Sequence, residues 1–326
     1  MSVKGKIQIV PEQIVVGVVQ ASPVFMDLEA SLAKATTLIG EAAGKGAKLV
    51  AFGETWLPGY PAWLDHCPEA ALWNHEPTKE VFARLRQNSL VASGREAKML
   101  AEVAADFNLT LVIGINERVD SGPGNGTLYN SLLTFGSDGK LLNHHRKLVP
   151  TYTERLVWGQ GDGAGLEAVD TPAGRVGGLI CWEHWMPLAR HALHVSGEQI
   201  HVAVWPTVDE MHQLACRHYA FEGRCFVLAA GLIMPVKDLP AEFDLSPEST
   251  GKADDLLLRG GSCVVGPDGH FIAGPVFDEE TILIAELDSA AIDKGKMTLD
   301  VSGHYHRPDV FDVELHKGSR LIKGEA

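Results

Sequence analysis

An alternation of short apolar runs with amphipathic stretches constrains the fold more than any other feature of the sequence. Residues 14–20 (IVVGVVQ) are almost wholly apolar, residues 28–45 carry apolar side chains at helical spacing, and residues 48–54 form a second apolar run. Strands that are apolar on both faces are typical of buried parallel sheets. A strand–helix–strand unit of this length predicts a parallel pair with a right-handed crossover. The alternation recurs in residues 174–230, so we expect an α/β fold of sheets covered by helices.

Size and charge narrow the possible functions. The chain has 326 residues and a net charge of −14, and its largest basic cluster is the triplet at residues 145–147. These features disfavour binding to nucleic acid or to an anionic membrane. No apolar run reaches the length of a membrane span. Five widely spaced cysteines form neither a disulfide framework nor a CxxC pair, which favours a cytoplasmic protein. We expect residues 1–326 to form a single domain.

Cys181 is the leading candidate for a reactive residue. It follows the apolar run at residues 176–180, and Pro187 together with the helical spacing after it predicts a helix a few residues later. A helix N-terminus or a nearby cation can lower the pKa of a thiol and so favour the reactive thiolate. The alternative is that Cys181 is a small buried apolar residue, which is the commoner fate of a free cysteine.

Two more polar residues stand at the ends of predicted strands. Glu54 ends the apolar run at residues 48–54, and Lys147 ends the run at residues 140–146 before a long loop. Ligands bind at the carboxyl ends of strands in open α/β sheets, so a carboxylate there is well placed to act as a base. The alternatives are a surface carboxylate or helix cap for Glu54 and a solvated cation for Lys147.

These three residues lie in segments that resemble a known family. The segments are GETWLPGYP around Glu54, HRKLVPTYTERLVWGQGDG around Lys147 and GGLICWEHWMPLAR around Cys181, and they resemble the signature segments of the nitrilase superfamily. Residues 218–227 (HYAFEGRCFV) and 300–311 (DVSGHYHRPDVF) are similar to segments of its nitrilase branch. The resemblance implies a four-layer αββα sandwich, Glu-Lys-Cys catalysis, no cofactor and a short tail after about residue 312.

The resemblance also implies a reaction. Trp182 directly after the cysteine is similar to true nitrilases rather than to the amidase branches. A nitrilase would convert a small-molecule nitrile and two waters to a carboxylic acid and ammonia through a thioimidate and a thioester on Cys181. Glu154 would be a second carboxylate that orients Lys147 or assists proton transfer, and its alternative is a salt bridge with Arg155 or Lys147. The resemblance further implies a homodimer or a larger homo-oligomer.

Three other functions remain open at this point. An amidase or carbamoyl hydrolase would use the same three residues, a Cys-His hydrolase would use a histidine base, and a scaffold protein would have no catalysis. For substrate contacts we select Tyr60, Trp182 and Trp205, because they adjoin strand ends or lie in the aromatic loop at residues 56–63. The histidines lack HExxH spacing with a third ligand, so we predict no metal site.

Overall fold

The computed structural model describes residues 12–246, 252 and 254–318. The outermost parts of the predicted domain, residues 1–11 and 319–326, lie outside the described residues. The strands are β1 (Gln13–Gln20), β2 (Leu49–Phe52), β3 (Thr110–Arg118), β4 (Leu128–Phe135), β5 (Leu141–Arg146), β6 (Val169–Thr171), β7 (Gly174–Ile180), β8 (Ile200–Val204), β9 (Phe226–Ala230), β10 (Ile233–Pro235), β11 (Leu256–Val265), β12 (Phe271–Phe277) and β13 (Thr281–Asp288). The helices are α1 (Leu28–Gly44), α2 (Trp63–His66), α3 (Glu76–Gln87), α4 (Arg95–Asp106), α5 (Pro187–Val195), α6 (Glu210–Gly223) and α7 (Ala290–Lys296).

The strands form two sheets. The first has the order β13-β1-β2-β3-β4-β5, and the second has the order β10-β11-β9-β8-β7-β6 with β12 paired to β11. β1 runs parallel to β2, and β2 runs parallel to β3. In the second sheet β7, β8 and β9 are mutually parallel. The predicted parallel pairs are therefore confirmed at the centre of both sheets.

Each central strand is buried on both faces, which explains its apolar composition. In β2, Leu49 and Ala51 belong to the apolar cluster that includes β7, β8 and β9 of the other sheet. Val50 and Phe52 belong to the cluster that includes α1 and α4. Because successive side chains of a strand point to opposite faces, one face of β2 packs against the second sheet and the other against helices. The result is the predicted α/β fold of two facing sheets flanked by helices.

A local sequence signal sets the start of α1. The side chain of Asp27 accepts a hydrogen bond from the Ala30 N–H at the start of α1, as expected of an N-cap. Sequence patterning did not predict α2, α7 or β10, because elements of three to seven residues are too short for a periodic pattern. Among the described residues, no helix combines the length and the apolar character that crossing a bilayer requires.

Candidate active site

Glu54 lies just past the end of β2 and is completely buried. Its Oε1 accepts hydrogen bonds from Asn130 Nδ2 at 2.7 Å and from Lys147 Nζ at 2.9 Å. Its Oε2 is buried and has no hydrogen-bond partner among the described residues. The backbone around Glu54 runs close to β3, because a Cβ on Gly114 would lie 2.3 Å from the Gly53 carbonyl oxygen. A glycine at position 114 therefore allows the close approach that places Glu54.

Lys147 follows β5 and is also buried. Its backbone N–H donates to the Asn130 carbonyl at 2.8 Å, which continues the pairing of β5 with β4. Its ammonium donates to Glu54 Oε1 and to both carboxylate oxygens of Glu154, at 3.0 and 2.7 Å. Burial opposes the charge, but neighbouring Cys181 and the two carboxylates outweigh it and raise the pKa of Lys147. Lys147 is therefore a permanent cation between two acids.

Glu154 lies in a single 3₁₀ turn, Tyr152–Leu156, within the loop that follows Lys147. Its Oε2 accepts from the Thr151 N–H at 2.6 Å, and its Oε1 accepts from the Tyr60 hydroxyl at 3.0 Å. Arg155, the alternative ion-pair partner, donates instead to the Pro150 carbonyl. The hydrogen bonds from the Thr151 N–H and the Tyr60 hydroxyl hold the carboxylate of Glu154 against the ammonium of Lys147.

Cys181 begins a 3₁₀ turn, Cys181–Trp185, that separates β7 from α5. α5 begins at Pro187, which confirms the helix predicted a few residues after Cys181. The sulfur and one oxygen from each of Glu54 and Glu154 lie within 4.8 Å of one another. Burial raises the pKa of the Cys181 thiol well above its usual value, Glu54 raises it further, and Lys147 opposes both. The lowered pKa that a helix N-terminus or a cation can give a thiol is not seen here, because burial and the two acids outweigh Lys147.

The backbone of Cys181 adopts an unusual conformation. Its φ of 53° lies in the left-handed region, which a side chain with a Cβ seldom occupies. Such conformations concentrate at functional sites, where the surrounding structure holds them in place.

Glu183 connects the segments that carry Lys147 and Cys181, and sequence reasoning assigned it no role. Its carboxylate accepts from the N–H of Leu148 and from the N–H of Ile180, each at 2.7 Å. His145 Nε2 lies 2.9 Å from the same carboxylate. Burial opposes its charge, but His145 and the two backbone donors outweigh burial and lower the pKa of Glu183. One buried carboxylate thus ties the end of the first sheet to the end of the second.

The protonation of the cluster follows from its charges. Two carboxylates and one ammonium are buried together beside a thiol. Burial raises the pKa of Glu54 from 4.5 to about 7, with Lys147 opposing the shift and Glu154 adding to it. A base with a pKa near neutral can both accept and return a proton at physiological pH. Glu54 therefore has the properties that general acid–base chemistry requires.

A cavity of about 960 Å³ leads from this cluster to the surface. Cys181, only 4% exposed, lines it together with Tyr60 and Glu154. Trp182, at 55% exposure, lines its outer part. Trp205 is fully buried, stacks between His184 and His212, and is absent from the cavity lining. The structure therefore does not support the predicted substrate contact of Trp205, whereas Tyr60 and Trp182 both face the cavity.

The chemistry of the cluster bears on cation binding. Glu54, Glu154 and Cys181 are the one group in the described part of the chain whose donor atoms are spaced to share a metal ion. The ammonium of Lys147 lies within 3.0 Å of both carboxylates. A metal ion at this position would compete with a fixed positive charge.

The arrangement of two facing sheets flanked by helices defines the mixed α/β class. Residues 15–296 match the family described as "Carbon-nitrogen hydrolase", and the chain belongs to this family. It is a hydrolase that acts on carbon–nitrogen bonds. The resemblance noted in the sequence is thereby confirmed.

Individual relatives extend this result. The chain is 41% identical over 310 residues to "Nitrilase 2" from an unknown prokaryotic organism, with 94% of each chain covered. It is 43% identical over 298 residues to "Aliphatic nitrilase" from Sinorhizobium fredii, covering 91% of this chain and 93% of the relative. Its fold is similar to a carbon-nitrogen hydrolase from Helicobacter pylori, with a TM-score of 0.66, 21% identity, and 92% and 97% of the chains covered.

Proposed function

We propose that the protein is a nitrilase that hydrolyses an organic nitrile to the carboxylic acid and ammonia, with Cys181 as nucleophile. The observation that carries the proposal is the convergence of the sulfur and two carboxylate oxygens within 4.8 Å, with the Lys147 ammonium bonded to both acids. Relatives about 40% identical along almost the whole chain are named nitrilases, which supports a nitrile as substrate.

The first half of the proposed reaction forms a covalent bond to sulfur. Glu54 accepts the thiol proton, the sulfur of Cys181 attacks the nitrile carbon to form a thioimidate, and Glu54 returns the proton to the substrate nitrogen. The unpartnered Oε2 of Glu54 is an available acceptor for the thiol proton. Lys147 stabilises the negative charge that develops on the substrate nitrogen. A nearby base is needed because burial favours the neutral thiol.

The second half of the proposed reaction uses two waters. Glu54 removes a proton from the first water, which adds to the thioimidate carbon. Both protons of this water pass to the nitrogen, so ammonia leaves as the thioester forms and Glu54 is again a carboxylate. The second water adds to the thioester in the same way, and the carbon–sulfur bond breaks to release the acid and restore the thiol. Glu154, held by Tyr60 and Thr151, keeps Lys147 beside the reacting atoms.

A Cys-His mechanism is less consistent with the surroundings of the sulfur. Nδ1 of His184 lies 2.6 Å from the Cys181 carbonyl oxygen, and Nε2 lies 2.9 Å from Nε2 of His201. Both ring nitrogens are therefore engaged away from the thiol. A carboxylate base agrees better with the short separations around the sulfur.

The test uses a matched pair of substrates and a matched pair of variants. We expect ammonia release from a nitrile to exceed release from the corresponding amide, and an acid quench during turnover to leave an acyl mass on the peptide that contains Cys181. Cys181→Ala should abolish both signals while the protein stays folded. Cys263→Ala, which removes another buried thiol, should retain them. Equal or faster hydrolysis of the amide would make the protein an amidase, and activity in Cys181→Ala would exclude the mechanism.

We also propose that the protein acts in the cytoplasm as a homodimer or a larger homo-oligomer. The exposed apolar side chains of α5 and α6 support an assembly: Leu188, Val195, Met211, Leu214 and Phe221. Sedimentation velocity of wild type and Met211→Asp tests the assembly. A wild-type monomer at micromolar concentration would exclude it.

A further inference from the structure

A chain of buried polar side chains extends behind Cys181, away from the cavity. Its members are His184 in the 3₁₀ turn, His201 on β8, Glu198 just before β8 and Tyr219 on α6, and all are buried. Nδ1 of His184 lies 2.6 Å from the Cys181 carbonyl oxygen, and the two histidines meet through Nε2 at 2.9 Å. Nδ1 of His201 lies 2.7 Å from Glu198 Oε1. The Tyr219 hydroxyl donates to Glu198 Oε2 at 2.6 Å.

The direction of each hydrogen bond follows from its neighbour. A carbonyl oxygen can only accept, so Nδ1 of His184 carries a proton and donates to Cys181. Burial lowers the pKa of His184 and of His201 well below the usual value, which favours neutral rings. In a neutral His184 the Nε2 atom is an acceptor, so Nε2 of His201 must donate to it.

The hydrogen bond between His201 and Glu198 determines the protonation state of Glu198. A neutral His201 that donates through Nε2 has a lone pair on Nδ1. Oε1 of Glu198, 2.7 Å away, must therefore carry a proton and donate it. The remaining oxygen accepts from Tyr219. Every bond in the chain is satisfied when Glu198 is a neutral carboxylic acid.

We propose that Glu198, as a neutral acid, is a positioning residue that acts through His201 and His184 to hold the backbone of Cys181 in its left-handed conformation. The inference rests on the proposed function, in which Cys181 is the nucleophile. Holding the Cys181 carbonyl fixes the direction in which the thiol leaves the backbone. A misplacement of about 1 Å can cost a reaction 100-fold in rate.

Four titratable groups face Glu198: His201 on β8, Tyr219 on α6, His194 on α5 and Cys225 just before β9. Gly177 on β7 allows the close packing, because a Cβ there would lie 2.2 Å from Glu198 Oε1. Burial raises the pKa of Glu198 to about 8, while His194 and the bond from Tyr219 oppose the shift. Above that pH the carboxylate can no longer donate, and its lone pairs face the lone pair of His201.

The test compares two substitutions of Glu198. In Glu198→Gln the amide NH₂ can donate to His201 and the amide oxygen can accept from Tyr219, so the variant copies the neutral acid. In Glu198→Leu both bonds are lost. We expect Glu198→Gln to keep kcat within about twofold of wild type and Glu198→Leu to lose kcat by about tenfold or more at nearly unchanged KM, since neither touches the cavity. Circular dichroism confirms that both are folded.

The pH profile separates positioning from mere packing. Wild-type kcat should fall as the pH rises above about 8, whereas kcat of Glu198→Gln should persist, because an amide does not ionise there. Equal losses in the two variants, or alkaline limbs that coincide in wild type and Glu198→Gln, would overturn the proposal.

A measurement without turnover keeps this inference separate from the proposed function. In protein with ¹⁵N-labelled histidine, the signals of His201 should show a neutral ring with the proton on Nε2. An imidazolium at neutral pH would overturn the proposal. Alkylation of Cys181 by iodoacetamide, followed by peptide mass, should be slower in Glu198→Leu than in Glu198→Gln. If wild type hydrolyses no nitrile but these two results hold, the proposed function fails and the positioning role stands.

Discussion

Acidification should inactivate this protein near neutral pH, because the proposed base is a buried carboxyl with a raised pKa. The pKa of Glu54 is about 7 instead of 4.5. At pH 6 such a group is ionised in about one molecule in ten, whereas a carboxyl with its usual pKa would be almost fully ionised. Since only the carboxylate can accept the thiol proton, kcat/KM should fall about tenfold for each pH unit below 7.

The assay is the rate of ammonia release from an uncharged nitrile between pH 5 and pH 9, at constant ionic strength. Asn130→Leu supplies the control, because Asn130 donates to the charged form of Glu54 at 2.7 Å. The loss of this hydrogen bond should raise the pKa of Glu54 and move the acid limb of the pH–rate profile to higher pH. An acid limb near pH 4.5, or a limb that Asn130→Leu moves to lower pH, would refute the assignment of Glu54 as the base.

The raised pKa of Glu54 also makes the free energy of unfolding depend on pH. Folded Glu54 keeps its proton up to about pH 7, whereas the unfolded chain loses it near 4.5. The contribution of Glu54 to the free energy of unfolding is therefore most favourable below pH 4.5 and declines as the pH rises through 7.

Three further substitutions test the site. Lys147→Met leaves Glu54 and Glu154 buried without their cation, so urea unfolding should show a loss of about 3–5 kcal/mol together with loss of activity; unchanged stability would contradict the ion-pair argument. Gly114→Ala places a Cβ 2.3 Å from the Gly53 carbonyl oxygen. It should lower the free energy of unfolding by about 1–3 kcal/mol and also lower kcat. In the control Gly44→Ala the new Cβ meets nothing within 4 Å, so both quantities should stay nearly unchanged. Glu183→Gln leaves one oxygen to accept from two backbone donors, so the free energy of unfolding should drop by about 1–3 kcal/mol. We expect kcat to fall more than KM rises. A change in KM alone would place Glu183 at the substrate instead.

The sequence predicted the parallel core, and it predicted that Glu54, Lys147 and Cys181 lie together, because each follows a strand in a segment that resembles one family. Glu54 and Lys147 follow strands of the first sheet, whereas Cys181 follows a strand of the facing sheet. The sequence did not predict which way a side chain leaves a strand end. Trp205 follows β8 directly, yet its ring turns into the layer of His184 and His212. One residue past a strand the backbone is no longer pleated, so alternation gives no direction.

The hydrogen-bonded supports of the site were also beyond sequence reasoning. Asn130 is a buried amide inside the apolar strand β4, a signal that could have marked it as a partner of the base. Glu183 lies two residues after the nucleophile, and sequence reasoning assigned it no role. Its partner Leu148 is 35 residues away in sequence, and a contact at that separation depends on how the two sheets face each other.

The base and the cation stand on one sheet, and the sulfur stands on the other. Chemistry therefore requires the two halves of the sandwich to remain aligned, which is a stricter condition than the survival of their strands and helices. A partly expanded state whose layers had slipped past one another would keep its far-ultraviolet spectrum and lose turnover. At low denaturant concentration, enzymatic activity should therefore be lost before secondary structure.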